Sequence, residues 1–237
     1  MADHDRMRLE ELAAISAFAH ELSDDDFDHP SLCTGWRVRD VLGHMCVGYT
    51  TSMPVMLVKL GRRRFNVPKA SMEESIAFAS ARSSAALLDV FDRIHREDIR
   101  KGISRVIKSS EGLVDHVIHH QDIRRPLGRP RTIPADRLIA ALDVVPRLAG
   151  FVGAKGRVGG LRLVATDVDW SHGDGPEVRG PGEAILLSAS GRTVALDELD
   201  GEGVARLRTA VGAPPDDLGS RDAACGVTAP QITSHDV

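Results

Sequence analysis

The sequence has only three cysteines among 237 residues. Cys33, Cys46 and Cys225 are an odd number, lie far apart and include no Cys-x-x-Cys pair. This excludes a disulfide framework and a zinc ribbon built on thiolates, and it is typical of a reducing compartment. The chain also lacks an apolar run of membrane-spanning length, and its first residues lack the apolar segment of a signal peptide. We therefore predict a soluble, cytoplasmic protein.

A surplus of positive charge is missing as well, because 30 Lys and Arg residues stand against 34 Asp and Glu residues. General nucleic-acid binders need a basic surface to neutralise phosphates. The charge balance therefore argues against nucleic acid as a partner, and the lack of a membrane-spanning run argues against a membrane. The chain is long enough for one large domain or two modest ones, each with a proper core.

Apolar residues recur at three- and four-residue spacing through the first half of the chain, which predicts amphipathic helices. We predict a loop at Pro54 and the basic run 61–64. Pro146 should kink the last helix or make it restart. The predicted helices cover roughly residues 5–22, 38–49, 71–95, 103–123 and 135–151.

Beyond Gly150 the pattern changes. A glycine-rich joint precedes a β-prone stretch at 161–166, a turn-rich loop at 169–176 and helical segments at 183–189 and 204–211. From Ala213 onward Pro, Asp, Gly and Ser dominate, which is typical of disorder. We predict an α+β protein with a helical, metal-binding domain (1–152), a small α+β domain (153–212) and a disordered tail (213–237).

The segment Asp115-His116-Val117-Ile118-His119-His120-Gln121-Asp122 carries three imidazoles and two carboxylates, without Lys or Arg. In a helix, Asp115 and His119 lie one turn apart, and Asp122 follows on the same stripe. This is the spacing with which one helix offers two ligands to a divalent metal. A third ligand must come from elsewhere in the chain, and His44 is the best candidate.

The same segment also fits a solvated helix face, since Asp115 and His119 lie off the apolar stripe predicted between 103 and 118. A solvated face normally pairs its carboxylates with Lys or Arg, which this segment lacks. His44 lies at the edge of an apolar face, where a structural histidine is also common. The residue pattern alone leaves both interpretations open.

Two stretches that carry these histidines resemble the mycothiol-dependent maleylpyruvate isomerase family. They are Thr34-Gly35-Trp36-x-Val38-x-Asp40-Val41-x-x-His44 and the run from Leu113 to Gly128. The segments 180–187 and 191–192 are similar to the family's small C-terminal domain, which is itself similar to sterol-carrier modules. The resemblance implies a DinB/YfiT-like four-helix bundle that holds a divalent metal between helices.

By position, the resemblance implies His44, Asp115 and His119 as the metal ligands. The family has Glu where this chain has Asp115, and this shorter carboxylate shifts the ion by about one methylene. The family often has Ser or Thr where this chain has Arg37, at a cost of about 1 kcal/mol of helix capping. His116 and His120 form a second pair at this spacing, out of register with the motif, and we expect them to support the site or lie at the surface.

Asp122 has two interpretations: it orients His119 or a metal-bound water, or it is a surface charge paired with Arg124 or Arg125. These two arginines begin a basic run that is either solvated or holds an anionic substrate or a thiol cofactor. We expect Trp36 to anchor the core and His172 to be a loop residue without a role in the chemistry.

Three protein ligands would leave positions open on the metal, as catalytic sites do. In the resembling family mycothiol takes such a position, and a divalent cation stabilises its thiolate. No Ser–His–Asp or Cys–His arrangement is apparent, so we expect no protein nucleophile. The sequence favours a metal-dependent, mycothiol-using transferase or isomerase, with zinc as the metal, acting on a small electrophile as a monomer or homodimer. The alternatives are a non-catalytic metal- or ligand-binding protein and a metal-dependent hydrolase with Asp122 as base.

Overall fold

The computed structural model describes residues 3–148 and 153–212. The predicted disordered tail at 213–237, with Cys225, lies outside the described residues, as does the predicted domain boundary at residue 152. The predicted α+β class is confirmed, because many helices accompany one small three-stranded sheet. Within the described ranges no helix is both long and apolar enough to cross a membrane.

The N-terminal helices are α1 (His4–Ala19), α2 (Asp24–Asp28), α3 (Val38–Thr50), α4 (Met53–Arg62), α5 (Val67–Ser80), α6 (Ser84–Arg96), α7 (Ser109–Arg124) and α8 (Ala135–Val144). Short 3-10 turns cover Gly102–Arg105 and Val145–Arg147. The C-terminal part contains α9 (Ala154–Val158), β1 (Arg162–Ala165), β2 (Ser171–His172), β3 (Glu177–Gly180), α10 (Gly182–Ala189), a 3-10 turn (Thr193–Glu198) and α11 (Val204–Gly212).

The N-terminal helices pack into a bundle in which α1 contacts α6 and α7, while α3 contacts α5, α6 and α7. Fully buried side chains such as Leu12, Val41 and Phe91 fill its core. Each such side chain stabilises the fold by about 1.5–3 kcal/mol through removal of apolar surface from water. The bundle core thereby fixes α3 and α7 side by side.

A second core joins α7 and α8 to the C-terminal part. Leu113 and Val117 of α7 belong to it together with Leu163 of β1 and Leu186 of α10. Strand β1 is the central strand, antiparallel to β2 and parallel to β3. Because α7 lies between two cores, it is buried on most of its circumference.

Several predicted helix boundaries are wrong because local capping residues override the apolar pattern. The predicted helix 71–95 is divided into α5 and α6, since the Ser83 hydroxyl accepts a hydrogen bond from the backbone N–H of Ala86 and starts a new helix. The predicted helix 5–22 ends at Ala19, and Ser23 caps α2. The predicted helix at 103 begins only at Ser109.

Two predicted loops are also wrong. Pro54 lies in the first turn of α4, where the backbone N–H groups have no partner within the helix, so a proline costs no hydrogen bond there. Gly61 and Arg62 belong to the last turn of the same helix rather than to a loop. The turn-rich stretch 169–176 contains β2, so His172 lies in a strand, and the sequence did not predict β3.

The last bundle helix ends at Val144, and Pro146 lies in a 3-10 turn.

Candidate metal centre

The structure brings together the three predicted ligands, His44 from α3 and Asp115 and His119 from α7. Their candidate ligand atoms all lie within 4.8 Å of one another. His119 Nε2 is 3.4 Å from Asp115 Oδ1. Ligands about 2.1 Å from a tetrahedral zinc lie about 3.4 Å apart. The three side chains therefore fit one divalent ion.

Asp122 orients His119. Its Oδ2 lies 2.9 Å from His119 Nδ1, and the Asp122 side chain is fully buried. A carboxylate in this position holds the Nδ1 proton, fixes the ring and directs Nε2 toward the metal position. This geometry supports the orienting role predicted for Asp122, and the alternative of a surface charge paired with Arg124 or Arg125 is wrong.

His44 is held from its other side by helix α5. The Nδ1 atom lies 3.2 Å from the Ser71 hydroxyl and 3.5 Å from the Ser75 hydroxyl, which leaves Nε2 for the site. Gly43 permits this close approach, because a Cβ there would lie 2.7 Å from the Ser75 carbonyl oxygen. The Trp36 ring packs 5.0 Å from the His44 ring and is buried, as expected for a core anchor.

Arg192 reaches the site from the C-terminal part. Its Nε donates to Asp122 Oδ1 over 3.0 Å and its Nη2 to Oδ2 over 2.6 Å, while Nη1 donates to the Ser190 carbonyl. The sequence predicted no role for Arg192. No local spacing could reveal one, because the two partners are 70 positions apart.

Cys33 also lies at this site, contrary to the expectation that no cysteine pairs with a histidine. Its Sγ lies 3.2 Å from Asp122 Oδ2 and 3.9 Å from His119 Nδ1. The Leu32 backbone N–H bonds to the Asp122 carbonyl and fixes this loop on α7. Cys33, His119 and Asp122 thus form a second group whose ligand atoms lie within 4.8 Å of one another.

Burial and the surrounding charges shift the pKa values of the two histidines of the site in opposite directions. Burial and repulsion from His119 lower the pKa of His44 to about 4, so its ring is neutral at pH 7. Burial alone would also lower the pKa of His119, but Asp115 and Asp122 outweigh it and raise that pKa to about 10. Burial would raise the pKa of the Asp122 carboxyl, but Arg192 and His119 hold it below its usual range. A metal would therefore replace the proton of His119.

The interpretation of residues 115–122 as a solvated helix face is wrong, because His116, His119 and His120 are all buried. His116 and His120 do not reach the three-ligand group. His116 Nε2 lies 3.1 Å from the Tyr49 hydroxyl, and His120 Nδ1 lies 2.8 Å from Glu11 Oε1. Both join buried polar networks that hold α7 against its neighbours.

Arg124 and Arg125 are engaged within the protein. Arg124 Nε donates to His120 Nε2 over 2.8 Å, and Arg125 bonds to Glu183 and Glu198 of the C-terminal part. Their role in holding a thiol cofactor stays a prediction, and these contacts favour a structural role.

At the start of α3, Asp40 accepts bonds from both the backbone N–H and the side chain of Arg37, which compensates for the missing Ser or Thr cap.

Comparison with known proteins supports the family assignment. Residues 8–98 match the family model of the mycothiol maleylpyruvate isomerase N-terminal domain. The fold matches a crystal structure of the mycothiol-dependent maleylpyruvate isomerase and one of a histidine-to-alanine mutant, each at a TM-score of 0.55 and 16% identity over 84% of this chain and 92% of that chain. The curated proteins contain no match. Residues 8–98 are thus similar to the N-terminal domain of the mycothiol maleylpyruvate isomerase family, and the predicted fold is confirmed.

Proposed function

We propose that the chain is an enzyme, a metal-dependent transferase or isomerase that uses mycothiol as its thiol and zinc as its metal. The convergence of His44, Asp115 and His119 carries this proposal. Three protein ligands leave a coordination position for a substrate, as in catalytic zinc sites. The solved isomerase of the same fold is described as mycothiol-dependent, which supports mycothiol as the occupant of that position.

A divalent metal at this position would lower the pKa of a bound thiol and keep it as the nucleophilic thiolate. The chain's own residues orient the ligands: Asp122 fixes the ring of His119, and Ser71 fixes that of His44. The Asp115 side chain is 41% exposed and marks the side from which thiol and electrophile enter. Addition of the sulfur to one carbon of a conjugated C=C bond would break its π bond and move the electron pair onto the activating carbonyl. Protonation of the other carbon then yields a conjugate, whereas rotation about the new single bond and expulsion of the thiolate yield an isomer.

The two other candidate functions differ in their support. A hydrolase needs a free general base beside the metal, but both oxygens of Asp122 already accept hydrogen bonds from Arg192 and a third comes from Cys33. Asp115, in place of the family's Glu, favours the second candidate, a metal-binding protein without turnover. The buried Cys46 is a free thiol, which fits a reducing compartment, so we infer that the reaction takes place in the cytoplasm.

Metal analysis of the purified full-length chain, with and without mycothiol, tests the proposal. We expect about one divalent ion per chain. Mycothiol should raise the melting temperature of the metal-loaded protein and leave that of the demetallated protein unchanged. The loaded protein should also consume mycothiol in the presence of a maleyl compound. Full metal content without thiol binding or consumption would favour the binding protein.

A further inference from the structure

Helix α4 exposes apolar side chains to solvent, unlike an ordinary surface helix, while its Lys59 is turned toward helix α5. Lys59 and Arg63, one turn apart, pair with Glu74 and Glu73 of α5. No residue of α4 is buried, and Leu57 is 54% exposed. Removal of this apolar surface from water would be favourable, so the helix is suited to contact another body.

Five exposed large apolar side chains lie on α4, on the segment after it and beside the 3-10 turn that packs on it. We call this set the α4 face: Val55, Leu57, Val58, Phe65 and Val106. Val106 follows the 3-10 turn Gly102–Arg105, which packs on α4. Phe65 is 70% exposed and Val106 is 64% exposed. Among the described residues, the one other exposed large hydrophobic side chain is Val194, in the C-terminal part.

Basic side chains flank the α4 face on both segments that build it. All are exposed, and within the described ranges none pairs with a carboxylate: Arg62, Arg64, Lys101, Arg105 and Lys108. The whole chain carries a formal net charge of −4, so this concentration of positive charge is local. These segments therefore combine exposed apolar side chains with exposed basic ones.

This combination identifies the partner. A second copy of the chain in a symmetric contact would bring the two sets of basic side chains together, and like charges opposed across an interface are unfavourable. Nucleic acid pairs with basic side chains through its phosphates but offers no apolar layer for aliphatic residues. An anionic bilayer offers both, because headgroups attract Lys and Arg while Leu, Val and Phe enter the acyl boundary.

We propose that the α4 face docks on the surface of a bilayer that contains anionic lipid. The expectation of no membrane partner rested on the lack of a spanning run, and a helix that lies in the interface does not need one. The proposal goes beyond the proposed function and does not depend on a bound metal.

The docked orientation would bring the candidate metal centre close to the lipid. Gly48 and Thr51 follow His44 by one and two turns along the same side of α3. Gly48 lies against Ile103, and the Thr51 carbonyl lies against Gly102, both in the turn that packs on α4. The turn that packs on α4 is thus about 10 Å along α3 from His44. Electrophiles that partition into the membrane interface would be delivered near the site.

Vesicle co-sedimentation of the full-length chain tests the docking. We expect binding to vesicles of phosphatidylglycerol and phosphatidylcholine, no binding to phosphatidylcholine alone, and loss of binding as salt is raised. The variant Leu57→Ser/Phe65→Ser should lower the partition coefficient at least about tenfold, because the apolar side chains no longer enter the interface. Reversal of charge in Arg62→Glu/Arg64→Glu should lower it by a similar factor.

Matched controls lie in the C-terminal part, where Val194→Ser and Arg179→Glu alter an exposed apolar and an exposed basic residue. Both should bind vesicles as the wild type does. Phe65→Ser alone is the fallback if the double variant fails to fold. No vesicle binding by the wild type, or equal binding by wild type and α4-face variants, overturns the proposal. So does a dimer that the Leu57→Ser/Phe65→Ser variant abolishes in the absence of vesicle binding. Metal content is read separately and reports on the proposed function alone.

Discussion

Arg192 and Asp122 are joined by two hydrogen bonds, of 3.0 Å and 2.6 Å, although one lies in the C-terminal part and the other on bundle helix α7. Asp122 in turn bonds to His119 Nδ1. The C-terminal part therefore supports the candidate metal ligand His119 indirectly, through Asp122. We therefore expect metal affinity to depend on both parts of the chain.

The first prediction is that Arg192→Lys weakens metal binding about 10- to 100-fold, the usual effect of losing a residue that orients a ligand. A lysine ammonium cannot supply the two parallel bonds of a guanidinium. Titration with zinc against a competing chelator measures the change. Arg179→Lys, at an exposed position on β3, should leave the affinity unchanged. An unchanged affinity in Arg192→Lys would contradict the orienting role.

The second prediction concerns the shortened carboxylate. Asp115→Glu should keep or raise zinc affinity, since it restores the family's residue, and Asp115→Ala should lose stoichiometric binding. Both are compared with His116→Ala, which alters a buried neighbour that bonds to Tyr49 rather than to the site. If His116→Ala strips the metal while Asp115→Ala retains it, the assigned set of ligands is wrong.

The third prediction tests the contact between α3 and α5. In Gly43→Ala the new methyl would lie 2.7 Å from the Ser75 carbonyl oxygen, so α5 must move. We expect a loss of about 1–3 kcal/mol in the free energy of unfolding, measured by urea denaturation, and weaker metal binding, because α5 carries the hydroxyls that hold His44.

Gly61→Ala is the matched control, because that glycine has nothing within 4 Å of its Cβ position in helix α4. Alanine there should be neutral or stabilise by up to about 1 kcal/mol. Equal stability of the two alanine variants would show that the predicted steric contact is absent.

The fourth prediction is a pH dependence that comes from Glu11. This fully buried carboxylate accepts hydrogen bonds from Arg131 and Arg137 and bonds to His120. Burial would raise the pKa of Glu11, but His120 and Arg131 outweigh it and lower that pKa from 4.5 to about 2. Between these values the unfolded chain binds more protons, so the stabilisation is present above pH 4.5 and is lost as the pH falls toward 2.

The shift of Glu11 corresponds to about 3 kcal/mol of stability. Urea denaturation from neutral to acid pH should show that the difference between wild type and Glu11→Gln shrinks as the pH falls through this window. Glu10→Gln, one position earlier and partly exposed, is the control and should show a much smaller difference. A difference between wild type and Glu11→Gln that does not vary with pH would refute the assignment.

The sequence predicted the elements that local pattern determines. The start of α3 at Val38, strand β1 and the convergence of His44 with Asp115 and His119 follow from apolar spacing and from the family motif. The interruption at Ser83 was not predicted, because capping competes with a continuous apolar pattern that is compatible with one long helix. The start of α7 at Ser109, without a side-chain cap, was not predicted either.

The burial of the histidine segment was not predictable from a helical wheel. A wheel assumes one buried face, whereas α7 packs between the bundle core and the core of the C-terminal part. The contacts of Cys33 and Arg192 with the site were not predicted for a related reason. Each residue contacts Asp122 from a distant part of the chain. Contacts between distant segments leave no local spacing in a sequence.

Absorption spectroscopy of the cobalt-substituted full-length chain tests the central claim most directly. Without thiol, a spectrum free of a sulfur-to-cobalt charge-transfer band would assign the ion to His44, Asp115 and His119 rather than to the group that contains Cys33. Addition of mycothiol should then produce that band, because the thiolate takes the open position. His44→Ala and His119→Ala should abolish the band, and His172→Ala should retain it. A band before mycothiol is added, or none after, would contradict the account.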